Sequence, residues 1–142
     1  TWPERQWEWD SGIEWDRSLN HPMQAGFAAF FYESLAGIRP LADHPGFKKF
    51  RLKPAFWDQL EHAGAEMQSP YGLIASRWER SESGIIWNIT IPFNTQAEIV
   101  LAPDYLRDLR ISLEDGSDLS FEMNRTDSGI VLGSGNYSLV LK

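Results

Sequence analysis

The sequence contains no cysteine. That absence excludes a disulfide framework, a thiol nucleophile and any cysteine-ligated zinc or iron–sulfur site. Histidine is scarce as well, at three residues. His44 and His62 each stand without a partner at metal-ligand spacing, so surface or packing roles account for both, and no metal or cofactor is expected. Positive charge is in short supply: 13 Lys and Arg face 20 Asp and Glu, for a net charge of −7. Such a surface repels a phosphate backbone unless a local basic patch compensates. The one basic cluster, Lys48, Lys49, Arg51 and Lys53, alternates as the solvated edge of a sheet does, so no nucleic-acid partner is expected. No apolar run approaches the ~18 residues of a membrane-spanning helix, and no membrane partner is expected either. Walker-type phosphate loops, dinucleotide fingerprints and His-Glu-x-x-His zinc helices are missing. Gly133-Ser134-Gly135 is too short to cradle a phosphate and lies between strands, where a turn explains it.

Aromatic side chains are plentiful instead: seven Trp, eight Phe and four Tyr in 142 residues, with 42% of the chain hydrophobic. Disordered chains carry few aromatics, so this one folds, and its length suits about one domain. The Trp residues are unevenly spread. Trp2, Trp7, Trp9 and Trp15 crowd a first stretch that opens on Thr1 rather than Met and also carries Glu4, Glu8, Asp10, Glu14 and Asp16. Neither a period of 2 nor one of 3.6 is sustained there, so residues 1–20 read as a Trp-rich loop. Exposed indoles forgo the ~25 cal/mol per Å² that burial yields. These rings are therefore expected to face a ligand or a protein surface outside the chain.

From His21 to Ile38 the sequence reads as one helix, with Asn20 as N-cap, Pro22 in the first turn and Gly37 as a left-handed C-cap. Met23, Phe27, Phe30, Phe31, Ser34 and Leu35 follow helical spacing, while Ala25, Gly26, Ala28 and Ala29 leave the opposite face small and apolar too. A helix apolar nearly all round is buried on all sides. A single sandwich covers one face of it and hardly both, so the helix is expected to belong to a larger helical assembly. Beyond Arg39-Pro40 short β-branched and aromatic runs take over, separated by Gly, Pro, Asn and Asp. Strands are expected at Phe47–Lys53, Leu60–Gln68, Leu73–Arg80, Ile85–Pro92, Gln96–Ala102, Leu109–Leu113, Leu119–Met123, Ile130–Leu132 and Tyr137–Leu141. Ser83-Gly84, Asp115-Gly116, Ser128-Gly129 and Ser134-Gly135 supply turns between them. The fold class is thus mainly β: an antiparallel β-sandwich preceded by a Trp-rich loop and one buried helix. The two textures meet near residues 39–44. Asn88-Ile89-Thr90, Asn124-Arg125-Thr126 and Asn136-Tyr137-Ser138 match a glycosylation sequon, a pattern short enough to recur by chance.

The chemistry-bearing part is the acidic, indole-rich opening and the Ser18-Leu19-Asn20-His21 that follows it. Aromatic planes hold the apolar C–H face of a pyranose while carboxylates manage protons and hydroxyls. A histidine at a helix start tends to stay neutral and can hydrogen-bond a hydroxyl. The same residues also fit a Trp-rich packing loop beside a solvated run of acids.

At Ser18-Leu19-Asn20-His21-Pro22-Met23-Gln24-Ala25-Gly26-Phe27, and on through Phe31-Tyr32 and Leu35-Ala36-Gly37-Ile38, the sequence resembles the bacterial α-L-rhamnosidases of glycoside hydrolase family 78. The likeness continues at Pro45-Gly46-Phe47-Lys48-Lys49, Leu52-Lys53-Pro54, Ser69-Pro70-Tyr71-Gly72-Leu73, Ile91-Pro92-Phe93-Asn94-Thr95 and Gly133-Ser134-Gly135-Asn136-Tyr137. It implies that residues 1–40 are the tail of an (α/α)6-barrel catalytic domain, and that 41–142 form the family's C-terminal β-sandwich. It further implies inverting hydrolysis of terminal α-L-rhamnosyl linkages, with a rhamnose-containing glycoside or polysaccharide as substrate and the remainder of the catalytic domain, upstream, as partner. The general acid would lie upstream of this chain. The general base would be Glu4, in Thr1-Trp2-Pro3-Glu4, with His21 binding substrate hydroxyls and Trp2 lining the sugar site. Family members more commonly place Trp directly before the base, whereas here Pro3 intervenes; Glu8, in Trp7-Glu8-Trp9, is the second choice and Glu14 the third. An inverting pair stands about 6.5–9.5 Å apart, so that a water fits between base and anomeric carbon.

A second reading takes the sandwich as a carbohydrate-binding or structural module without chemistry of its own. Trp57, Trp78, Trp87 and Tyr71 are its platform candidates. Trp78 and Trp87 lie in strands whose alternate positions face the core, so packing is the stronger reading for both.

Overall fold

The computed structural model describes residues 26–119, 124–126 and 129–142. Ten strands are present among them: β1 (Ile38–Pro40), β2 (Lys49–Leu52), β3 (His62–Ser69), β4 (Gly72–Ser81), β5 (Gly84–Ile91), β6 (Gln96–Ile99), β7 (Arg110–Leu113), β8 (Asn124–Thr126), β9 (Gly129–Leu132) and β10 (Gly135–Leu141). They form two five-stranded sheets, ordered β1-β2-β6-β9-β8 and β3-β4-β5-β10-β7. Pairing is antiparallel except between β2 and β6, which run parallel with Lys49 opposite Gln96 and Leu52 opposite Ile99. The expected sandwich is thus present, with one parallel pair inside an otherwise antiparallel fold.

Alternation explains the second sheet. In β5 the side chains of Ile85, Trp87, Ile89 and Ile91 are buried, while Asn88 is exposed and Ile86 and Thr90 are half-buried between them. Period 2 puts one set toward the core and the other toward water. The inward sets of both sheets merge into one cluster, with Ile38, Phe50, Leu52, Ala97, Ile99 and Ile130 from the first facing Ile74, Trp78, Trp87, Ile111, Leu139 and Leu141 from the second. At ~25 cal/mol per Å², a buried indole stabilises the fold by about 5 kcal/mol before entropy is charged against it. Phe56 enters edge-on among three of these rings, with centroids 5.5 Å from Trp78, 5.9 Å from Trp87 and 5.5 Å from Tyr105.

Several boundaries differ from expectation for local reasons. The strand expected from Phe47 begins at Lys49, because Phe47 is left-handed at φ 65° and cannot join a ladder. That strand is no sheet edge, since β2 lies between β1 and β6; the cation Arg51 pairs outward with Glu98 at 2.9 Å. The strand expected to reach Ala102 stops at Ile99, and a short helix α2 (Pro103–Arg107) follows with Pro103 at its start. β1 is an addition, paired to β2 through Ile38 opposite Leu52. Of the strand expected at Leu119–Met123, residues 120–123 lie outside the described residues.

The helix expected over His21–Ile38 is described from Gly26 onward. It comprises α1 (Phe27–Phe30) and then a π-helical turn over Phe31–Leu35, closed by the Ala36 N–H donating to the Phe31 carbonyl at 2.9 Å. Gly37 ends it at φ 76°, the left-handed cap the sequence indicates. Among the described residues of the helix Leu35 and Ala36 are buried, whereas Phe27 is 58% and Phe31 49% exposed.

Tyr137 sits near the start of β10, donating from its hydroxyl to the Gly133 carbonyl at 3.1 Å. Burial raises its phenol above the ordinary 10.0. A folded value above the unfolded one means that the contribution is whole below about pH 10 and is lost as pH rises through the folded pKa. Urea unfolding followed across alkaline pH is expected to give a decline in stability above about pH 10 that Tyr137→Phe makes shallower. An unchanged slope in the variant would assign the decline to other groups.

Candidate functional site

Glu4, Trp2 and His21, together with Glu8 and Glu14, lie outside the described residues. What the described residues build is the seat of the helix on the sandwich. A helix ends with four carbonyls that lack intrahelical partners. Here each finds a donor in or beside the sandwich. Arg39 Nε donates to the Glu33 carbonyl at 2.7 Å, and the Ala55 N–H to that of Ser34 at 2.8 Å. The Trp78 indole N–H donates to the Leu35 carbonyl at 2.9 Å, and the Ser76 hydroxyl to that of Ala36 at 2.6 Å. Ser76 Oγ in turn accepts from the Trp87 indole at 2.9 Å. One residue later the Lys53 N–H donates to the Gly37 carbonyl at 2.9 Å.

Gly37 has no substitute there. A Cβ at this position would stand 2.2 Å from the Lys53 carbonyl carbon and from Pro54 N. The segment 53–61 that runs past it is held by Arg80, whose Nη2 donates to the Phe56 carbonyl at 3.0 Å and to Asp58 Oδ1 at 2.8 Å. Its Nε reaches the Leu60 carbonyl at 3.2 Å. Trp78 and Trp87 are therefore internal polar anchors, fully buried, and neither is a sugar platform. Sequence reasoning missed their second role, because an indole N–H in a strand does not declare its acceptor. The signal was Ser76, a hydroxyl at an inward position of β4 where an apolar residue is the rule.

Trp57 is outside the core. It is 47% exposed and lies 5.4 Å from Phe30, ring centroid to ring centroid. Phe30 meets Phe31 at 6.0 Å and Phe31 meets Phe27 at 6.3 Å. The four rings make a continuous aromatic surface across helix and loop. Surfaces of this kind mark contacts with other protein or ligand surfaces. Tyr71 is partly exposed at the β3–β4 hairpin, where the Ser69 hydroxyl accepts its N–H at 3.1 Å. It forms no platform with Trp57. Among the described residues no three His, Asp or Glu stand close enough to hold a metal.

The family model of the bacterial α-L-rhamnosidase C-terminal domain matches residues 37–111, more than half of the chain. The chain belongs to that family. The match opens on Gly37 and takes in β1 to β6, the segment 53–61 and both indoles. Similarity runs further. An α-L-rhamnosidase of Formosa agariphila is 37% identical over 143 aligned residues, covering 99% of this chain and 15% of the relative. An α-L-rhamnosidase of Alteromonas sp. strain LOR is 34% identical over 88 residues, covering 62% of this chain and 9% of the relative. The chain thus spans about one seventh or less of the length of these curated relatives. Two solved structures share the fold. The Streptomyces avermitilis α-L-rhamnosidase complexed with L-rhamnose matches all of the chain at a TM-score of 0.68 and 23% identity, over 14% of its own length. The enzyme from Dictyoglumus thermophilum matches 88% of it at 0.66 and 24% identity, likewise over 14%.

In this rhamnosidase C-terminal domain the helix seat is testable by single substitutions. Ser76→Ala removes one hydroxyl and leaves both the Ala36 carbonyl and the Trp87 N–H unpaired in the core. We expect it to cost about 2–3 kcal/mol in urea unfolding, against about 1–2 kcal/mol for Trp78→Phe, which frees one carbonyl. Equal, negligible effects would mean that the two bonds do not hold the helix.

Proposed function

We propose that this chain is the C-terminal portion of an α-L-rhamnosidase, in which residues 1–40 complete the catalytic domain and 41–142 are the sandwich that holds them in place. The observation that carries the reading is the extent of similarity to the Formosa α-L-rhamnosidase. It runs through the segment that precedes the family-model match and contains Glu4 and His21. The aromatic surface of Phe27, Phe30, Phe31 and Trp57 supports the same reading. It supplies an apolar face for the upstream helices of a barrel, and the five bonded carbonyls from Glu33 to Gly37 fix the direction in which that face points.

The reaction assigned to the whole protein is hydrolysis of a terminal α-L-rhamnoside with inversion. Glu4, ionised near neutral pH, takes a proton from a water on the face of the sugar opposite the leaving group. That water's oxygen bonds to the anomeric carbon as the glycosidic C–O bond breaks. A carboxylic acid from the upstream part of the protein protonates the departing oxygen, so that free rhamnose and an alcohol leave. His21 and Trp2 bind the sugar, His21 through a ring nitrogen at a hydroxyl and Trp2 through its face.

Turnover of an aryl α-L-rhamnoside by the whole protein tests the assignment. Glu4→Gln is expected to lower kcat by about 10²–10⁴-fold with the melting temperature unchanged, and Glu8→Gln to do far less. His21→Ala should act mainly on KM. The 142 residues alone should be inactive. If Glu8→Gln proves the more damaging change, the base is Glu8; an α-configured first product in the NMR spectrum would rule out inversion.

A further inference from the structure

The outward face of the second sheet differs from that of the first. The first sheet carries long charged side chains outward, among them Arg39, Lys49 and the paired Arg51 and Glu98. Across the middle of the second sheet the outward positions are short. Asn88 on β5 stands opposite Ser138 on β10, and Thr90 opposite Asn136. Ser112 on β7 continues the row beyond Ser138. Two of the three sequon-like triplets thus have a structural meaning: in a strand, Asn-x-Ser/Thr puts amide and hydroxyl on one face, and β5 and β10 side by side make a two-by-two quartet. Opposed pairs of this kind stand about 4.5–5.5 Å apart at Cβ.

The quartet floors a hollow of about 640 Å³. One end is walled by Glu114, which accepts from the Asn136 amide at 2.7 Å, and the other by Arg77, bonded to Glu66 at 2.8 Å. Beyond Arg77 a second hollow of about 390 Å³ shares Arg77 and Asn88 and runs out over Gly64. Gly64 leaves room for the Arg77 stem, since a Cβ there would stand 2.5 Å from Arg77 Cγ. Among the described residues the Asn88 amide has no hydrogen bond within the protein. Each hollow falls within the ~300–1,000 Å³ usual for small-ligand sites.

We propose that this face is a non-catalytic binding site for a neutral oligosaccharide, one sugar lying in each hollow with Arg77 between them. The inference rests on the rhamnosidase reading only for the choice of sugar. The floor offers amides and hydroxyls, which both donate and accept, as sugar hydroxyls require. Over the two hollows the walls carry Glu66, Glu79 and Glu114 against Arg77, with His62 at the far end, so the site disfavours anionic polymers. With no exposed aromatic ring on the floor to stack against, affinity is set by hydrogen bonds alone, at a Kd on the order of 1 mM.

Saturation-transfer NMR on the full chain with a linear tetramer of α-linked L-rhamnose tests the site, a galacturonate tetramer serving as the anionic control. Saturable binding of the rhamnose tetramer is expected, weakened at least 10-fold by Asn88→Leu and by the independent Ser138→Ala, each with its melting temperature retained. Binding indifferent to both substitutions, no binding at 10 mM probe, or preference for the galacturonate tetramer would overturn the proposal. Arg77→Met, at the boundary of the hollows, serves should Asn88→Leu fail to fold. Aryl α-L-rhamnoside turnover by the whole protein is scored separately. Binding that depends on Asn88 without turnover retires the enzymatic reading and keeps the site, and turnover without such binding does the reverse.

Discussion

The end of the helix determines how this chain holds together. Its last carbonyls, from Glu33 to Gly37, are bonded in order by Arg39, Ala55, Trp78, Ser76 and Lys53. A helix terminus usually meets water or a following turn, and its orientation then depends on side-chain packing, which tolerates some rotation. Here backbone oxygen is tied to the inner face of a sheet. Rotating the helix by one residue would leave several buried oxygens unpaired, each at about 1–3 kcal/mol. The π-helical turn serves the same constraint. By inserting a residue it re-aims Leu35 and Ala36 into the sandwich and leaves Phe27, Phe30 and Phe31 facing away from it.

That arrangement suits a domain built to carry something else. The sandwich completes its own core with Trp78 and Trp87 and presents outside it an aromatic surface whose position is fixed by hydrogen bonds. In the proposed enzyme the residues assigned to the substrate precede the helix in the chain, so the seat would bear on where they lie. The domain would then act on catalysis by positioning.

Much of the fold was legible in the sequence because burial alternates where the chain is extended. Ile85 to Ile91 declares its inward face by composition alone, and Gly37 declares a helix end. Other features were not legible because they depend on residues far apart. That β2 would run parallel to β6 and lie inside a sheet depends on a partner 47 positions away in the case of Arg51 and Glu98, and local pattern suggested only an edge. Phe47 gave no sign of its left-handed backbone, a conformation most often taken by Gly or Asn. At the site the sequence was informative about chemistry and silent about support. Carboxylates among indoles suggest sugar chemistry wherever they fall, whereas Ser76 becomes an anchor only once Ala36 and Trp87 are beside it. The quartet around Asn88 lies between these cases: its triplets were visible, and their adjacency required the register of β5 and β10.

The same register bears on how the chain is made. β10 is the last strand in chain order, yet it lies inside its sheet, joined on one side to β5 and on the other to β7. During synthesis the hairpins of β3, β4 and β5 can form as they emerge, but β7 has nowhere to attach until residues 135–141 have left the ribosome. Until then the inner faces of Trp87 and Ile111 stay uncovered along one seam. Within this chain β7 therefore joins its sheet only through β10, so the far edge of that sheet depends on a strand that comes after it in the sequence.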